Sequence, residues 1–395
     1  MKRLFQTVIV LLILSLPSSM AAPQQIAVKP LTFLTTLGTT SQVAGVLTKG
    51  SQIYIFGNTD NGPFIRAIDP SGKELWRVVL DSDQPAIATA GAIDGAGNIW
   101  VAGSTSLKSA VPTPAQSLAP INPDGELGVI QETTHGLDAV ALWEIPAGGT
   151  TPNLFTAKQQ SEVLITAVAA DKNGLTLAGV AATEKGSSGF FVNTNFAGEF
   201  MQSVRIGTQA TGINATVRHR DGSKTLIGNS AETLGGKKLA GISDGVIIKV
   251  DAKDVVTQIV RSSEAKANRS WDSASTSLLF GGSIIKGTQI QSAVTKFSTS
   301  YSPQWTARFA STGATFTFGT DRAFFASTSP ISTLRAWAPK SARPLLLTFD
   351  TKGLISAAFS APLRQSDVFG LIESKEIGLI ALTTSEGVIS AYVAK

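Results

Sequence analysis

The sequence predicts an all-β chain folded as a seven-bladed β-propeller of four-stranded antiparallel blades. Three observations carry the prediction. A short apolar strand ending in Gly or another small residue recurs seven times, Asp- and Gly-containing hairpin turns accompany it in a fixed order, and strand-like sequence is left over at the amino end where the last unit lacks a strand.

The amino end comes first. Lys2 and Arg3 precede an apolar stretch from Leu4 to Leu16 broken only by Gln6 and Thr7, followed by Pro17-Ser-Ser-Met-Ala-Ala22. This is the pattern of a secretory signal peptide, with cleavage expected after Ala21 because Ser19 and Ala21 then fill the two small-residue positions. The competing reading is an uncleaved anchor, but the stretch is shorter than the roughly 20 apolar residues that a membrane span needs. No second apolar stretch follows, so the mature chain, residues 22–395, is expected to be secreted, extracytoplasmic, without a membrane span and monomeric.

The repeated strands are Ile53–Gly57, Ile99–Gly103, Leu175–Gly179, Lys224–Gly228, Ser277–Gly281, Ala323–Ser327 and Gly378–Leu382, with steps of 46, 76, 49, 53, 46 and 55 residues between their last positions. One unit therefore takes about fifty residues, and the second carries an insertion over residues 104–137. Before each repeated strand comes a strand of small residues such as Thr89-Ala-Gly-Ala-Ile93, where innermost strands of a propeller converge and large side chains collide. A third strand follows, such as Phe64–Ile68 or Leu345–Phe349, closed by turns such as Asp69-Pro-Ser-Gly72 and Asp350-Thr-Lys-Gly353, in which Asp bonds its own backbone and Gly accepts positive φ. Fourth strands are predicted at 75–80, 153–157, 199–206, 255–260, 304–309 and 354–359. The seventh unit ends at Lys395 without one, and Leu31–Leu37 has the missing pattern, so residues 31–37 are expected to complete the last blade. The units run on without a linker, which favours one domain over a two-domain split. Trp271, Phe316, Phe318 and Phe369 interrupt the small-residue strands and either narrow the channel or, like Trp100, Trp143, Phe280 and Phe324, face the core between blades.

The stretch Asp94-Gly-Ala-Gly-Asn-Ile-Trp-Val-Ala-Gly-Ser-Thr-Ser106, with Pro112 beyond it, resembles the SBBP-type repeat of secreted bacterial seven-bladed β-propellers. Gly136-Leu-Asp138 and Ser243-Asp-Gly245 before apolar strands are similar to that family's continuation, and units two and four match best. The resemblance implies a fold and no established activity. Ala67-Ile-Asp-Pro-Ser-Gly-Lys-Glu-Leu-Trp76 also looks like the signature of quinoprotein and outer-membrane-assembly propellers, in one unit only.

Composition limits the chemistry. With 43% hydrophobic and 15% charged residues the chain is neither disordered nor fibrous. Its 33 basic and 28 acidic residues leave +5, falling to +3 once Lys2 and Arg3 are removed, with no polybasic run and no nucleic-acid footprint. Having no Cys and two His, it can form no disulfide, no thiol nucleophile and no zinc site of Cys and His. Function is expected on the face where the second-to-third strand loops and the connections between blades emerge. That face should carry the insertion, with Pro112, Pro114, Pro120, Pro123, Glu126, Glu132 and His135, and a second long loop from Asn229 to Ser243 with Lys237 and Lys238. It should also collect Asp81, Asp83, Glu162, Glu264 and Asp367 from between blades, with Asp138 and Asp244 opening third strands. Converging, these carboxylates make an acidic rim for Ca2+ or a basic partner; dispersed, each caps a turn of its own blade. No resident cofactor is implied. Arg218-His219-Arg220 falls on a turn of the opposite face and reads as solvated, and the acceptor motifs Asn214-Ala-Thr216 and Asn268-Arg-Ser270 read as accidental.

Two functions fit. The first is a secreted, non-enzymatic propeller binding a protein or cell-envelope glycan through its loop face. The alternative is an extracellular glycan hydrolase or lyase using two rim carboxylates as acid and base.

Overall fold

The apolar runs and Asp turns of the sequence fold into twenty-nine strands and no helix across the residues that the computed structural model describes, 25–107 and 136–394. The signal-peptide segment, the insertion's interior and His135 lie outside the described residues. Five four-stranded antiparallel sheets and one nine-stranded sheet result, a propeller-like all-β architecture. Unit one gives Val43–Lys49, Gln52–Thr59, Gly62–Ile68 and Glu74–Val79 in spatial order, and units two, three and four repeat that order from Ala86–Ile93, Val163–Asp171 and Thr211–Arg218. Units five and six merge because one strand, Pro303–Phe318, serves both: residues 303–310 pair with Gln289–Phe297 and residues 311–318 with Arg322–Ser327. At the amino end Thr32–Thr39 runs antiparallel to Val388–Val393, placing it beside the last strand of the chain. Each first strand touches the next along the chain, and Asp367–Ser374 touches Val43–Lys49.

Asp fixes the turns by a shared device. Asp69 Oδ1 accepts the N–H groups of Ser71 and Lys73, Asp251 those of Lys253 and Val255, and Asp350 those of Lys352 and Leu354, all at 2.8–3.0 Å. In unit two Asp94 goes further, accepting from the Gly97 and Asn98 amides at 2.7 and 2.9 Å and from the Trp100 indole N–H at 2.9 Å. Burial works against its charge, but those donors outweigh it and hold the carboxyl below its usual range.

The apolar core lies between neighbouring sheets. Trp100, Leu142, Ile165 and Leu177 join units two and three, Phe280, Trp271 and Ile247 join units four and five, and Leu37, Ile389, Ile53 and Val46 join unit seven to unit one. Middle strands are therefore buried on both faces, which is why they read as continuous apolar runs. Trp271 is fully enclosed, and Phe316, Phe318 and Phe369 pack on the cores between sheets.

The recurrent glycine has a steric cause. In every unit the first strand slips register against the second, between Val43 and Gly45, Ala88 and Ala90, Ile165 and Ala167, Ile213 and Ala215, Trp271 and Ser273, Ser311 and Thr315, and Val368 and Gly370. The bulge pushes a carbonyl toward the second strand. A Cβ at Gly57, Gly103, Gly179, Gly228 or Gly282 would lie 1.7–2.0 Å from that oxygen. The register also corrects the repeat: Gly282, not Gly281, opposes the bulge of unit five, and Thr383, not Leu382, that of unit seven. Polar side chains at the bulge tie units together, since Thr166 donates to the Ile213 carbonyl at 2.5 Å and Asn214 to that of Trp271 at 3.0 Å.

Two strands and one basic cluster differ from expectation. The fourth strand of unit three is only Val204–Ile206, Phe200 making an isolated bridge to Thr194. Residues 26–30 form a parallel fifth strand on Ile355–Ser360, burying Ile26 and Val28 against the core of units five and six. Arg218 is not solvated: it pairs with Asp171 at 3.0 Å and reaches Thr176 at 2.7 Å, while His219, its basicity lowered by burial, contacts Thr225 at 2.8 Å.

Candidate functional site

In a sheet traversed in order, the second-to-third loops and the exits to the next sheet share one end. This loop face holds the expected acidic residues, and the fold gives most of them a local partner. Asp83 is exposed on the connection 80–85 beside Asp81, in a shallow pocket of about 460 Å³. Asp138 is buried and accepts the Leu107 amide at 2.8 Å, tying together the two ends of the insertion. Glu162 is exposed against Gly136, where a Cβ would meet its Oε1 at 2.4 Å. Asp367 accepts the Thr312 hydroxyl at 3.0 Å and its neighbour's amide at 2.9 Å. Among the described residues no three His, Asp or Glu converge as a metal ion requires.

Units four and five are different. Asp244, wholly buried, receives Arg261 Nε at 2.9 Å and the Ala240 and Gly241 amides at 3.1 and 2.9 Å. Desolvation opposes its charge, but hydrogen bonds from Ser263 and Arg261 prevail and lower its pKa. Glu264 lies between Arg308 at 2.6 Å and Lys286 at 3.3 Å, and its pKa falls chiefly through the Arg308 bond. The region is therefore a salt-bridged network and not an acidic rim.

Sequence reasoning missed Glu232, Arg261, Arg269 and Asp272. Glu232 is buried and accepts the Thr208, Gln209 and Ala210 amides at 3.0–3.2 Å and the Thr208 and Thr211 hydroxyls at 2.8 and 2.7 Å. Burial raises its pKa, but these donors overcome that and bring it to about 2. The carboxylate thus pins connection 207–210 to the start of loop 231–243. Arg261 also donates to the carbonyls of Glu232 and Ser230, at 2.8 and 3.1 Å, fixing the same loop. Asp272, at the bulge of unit five, takes a 2.6 Å bond from Ser270, and burial raises its pKa. No local pattern marked Glu232, because its donors, at 208–211, lie more than twenty residues before it in the chain.

No family model and no curated protein matches the chain. Among solved structures it is similar to BBS1N, solved in complex with ARL6DN, at 9% identity and TM-score 0.45, covering 93% of this chain and 98% of that one. It is also similar to a protein from Lactobacillus plantarum at 13% identity and TM-score 0.48, covering 81% and 85%. A prolyl endopeptidase matches at 11% identity and TM-score 0.46; 90% of this chain aligns with only 46% of that enzyme.

Proposed function

We propose that the chain is an exported, single-domain, seven-bladed β-propeller that binds a protein or cell-envelope glycan through its loop face and catalyses no reaction. The seven recurrences of bulge and opposed small residue, and the pairing of Thr32–Thr39 with Val388–Val393, support seven blades closed by the amino-terminal strand. Export rests on the residue pattern of positions 1–21. One observation carries the binding reading. Loop 231–243 and its neighbour 207–210 are held by the buried carboxylates Glu232 and Asp244 and by Arg261, while Lys238 and Ile242 stay exposed. A long surface loop made rigid at the cost of burying charge suits a surface prepared for a partner. The test is cross-linked capture from native cell envelope with the mature chain and with a chain lacking 108–134, beside turnover of a polysaccharide panel. Capture without turnover agrees with the reading. Turnover abolished by Asp138→Asn would replace it with the hydrolase or lyase alternative.

A further inference from the structure

Arg269 stands out among the buried arginines. It lies near the loop-face end of the first strand of unit five, Asn268–Ala274, with its amide on the Ser243 carbonyl at 2.9 Å. Its guanidinium packs 4.6 Å from the centre of the Trp271 ring, and its stem lines the space beside Gly245, where a Cβ would lie 3.5 Å from Arg269 Cγ. The residue is 8% exposed, and its Nε is enclosed without an acceptor. Other enclosed arginines find oxygens: Arg261 has Asp244, Arg343 the Ala361 carbonyl and Ser360, and Arg205 the hydroxyls of Ser161 and Ser188. Arg269 has no ion pair among the described residues. The two nearby carboxylates are already engaged, Asp244 by Arg261 and Glu264 by Lys286 and Arg308. Burial and the like charge of Arg308 lower its pKa to about 10, so it stays cationic at neutral pH with its charge only partly compensated.

A guanidinium presents a planar fork of donors that matches a carboxylate bidentately. One exposed aliphatic side chain adjoins this fork. Ile242, 57% exposed, precedes Ser243, whose carbonyl accepts the Arg269 amide, and so sits beside Arg269, whereas Ile285, 39% exposed, pairs opposite Asn268 and therefore lies on the other face of the sheet. The only large aromatic side chain exposed among the described residues is Phe33, in the strand beside unit seven, so this rim offers no ring on which a sugar could stack. Cationic fork, aliphatic neighbour and absent ring together match a peptide better than a glycan. We propose that Arg269, with Ile242 beside it, is the docking site for an acidic peptide segment in which a carboxylate neighbours an aliphatic side chain. This rests on the loop face being the binding face.

The test uses the mature chain, a pool of acetylated, amidated hexapeptides alternating Asp or Glu with Leu, Ile or Val, and an oligogalacturonate. The readouts are the Arg269 Nε–H resonance, assigned by its disappearance in Arg269→Met, and, since neither variant carries that group, isothermal titration calorimetry of the unsubstituted chain and of both variants. The expected result is a saturable shift with the peptide pool and none with the oligogalacturonate. Affinity should weaken about tenfold in Arg269→Lys, which keeps the charge but loses the fork, and binding should vanish in Arg269→Met without a lower Tm. Undiminished peptide binding by Arg269→Met, or a shift with the oligogalacturonate alone, would overturn the proposal. So would a marked fall in the Tm of Arg269→Met, which would make the arginine structural. If the peptides fail to bind while envelope capture through the loop face persists, this site falls and the broader reading stands.

Discussion

Glu232 offers the sharpest test of how the loop face is built. Its folded pKa is about 2 against an ordinary 4.5, because the backbone amides of residues 208–210 and two Thr hydroxyls bind the ionised form. At about 1.4 kcal/mol per unit, that depression makes the ionised group worth roughly 3 kcal/mol of stability. A depressed carboxylate contributes fully above its unfolded pKa, and the contribution is lost as pH falls through 4.5 toward 2. Glu232→Gln removes the charge at every pH and turns an amide N–H2 toward donors. For a chain of this length, with an unfolding entropy of about 2 cal/mol/K per residue, 3 kcal/mol corresponds to a Tm lower by about 4 °C at pH 7. Calorimetry of both proteins from pH 7 to pH 2.5 should show that gap closing on the acid side of pH 4.5. Equal Tm values at pH 7, or a gap independent of pH, would refute the argument.

Three further outcomes follow from the geometry. Gly103→Ala places a Cβ 1.7 Å from the Ile87 carbonyl oxygen, so it should cost about 3 kcal/mol or more by denaturant unfolding, whereas the same change at solvent-facing Gly95, where nothing lies within 4 Å, should be nearly neutral. Asp244→Asn leaves Arg261 buried without its counter-charge and should destabilise by about 3–5 kcal/mol, seen as a lower urea midpoint. Removing residues 22–30 strips Ile26 and Val28 from the core and should cost about 2 kcal/mol, while removal through Thr39 also bares the edge of Val388–Val393 and should give aggregation by light scattering.

The strand order was legible because its signals are local. Asp69, Asp251 and Asp350 bind amides two and four residues ahead, so the turns can be read without knowing the fold. The missing last strand and the spare Leu31–Leu37 are a matter of counting, and the observed partner of Thr32–Thr39 is Val388–Val393. The glycine register was misread by one residue in unit five because Gly281 and Gly282 are adjacent and only the bulge distinguishes them. Residues 26–30 were missed because a five-residue edge strand carries little periodicity of its own. The charged network was missed for a different reason. Asp244 meets Arg261 across a hairpin, Glu232 meets connection 207–210 from the end of the neighbouring strand, more than twenty residues on, and Glu264 reaches Arg308 across 44 positions of chain. Sequence places such acids on a face, but only packing shows which cation neutralises each.

The absence of Cys makes the central claim, that the loop face is the binding face, directly testable. A single photo-cross-linker can be attached at Leu363→Cys, 81% exposed on the loop face, or at Leu354→Cys, 63% exposed on the opposite turns, and each protein irradiated with native envelope. A discrete adduct is expected from position 363 and none from position 354. The same adduct from both positions, or an adduct from 354 alone, contradicts that claim.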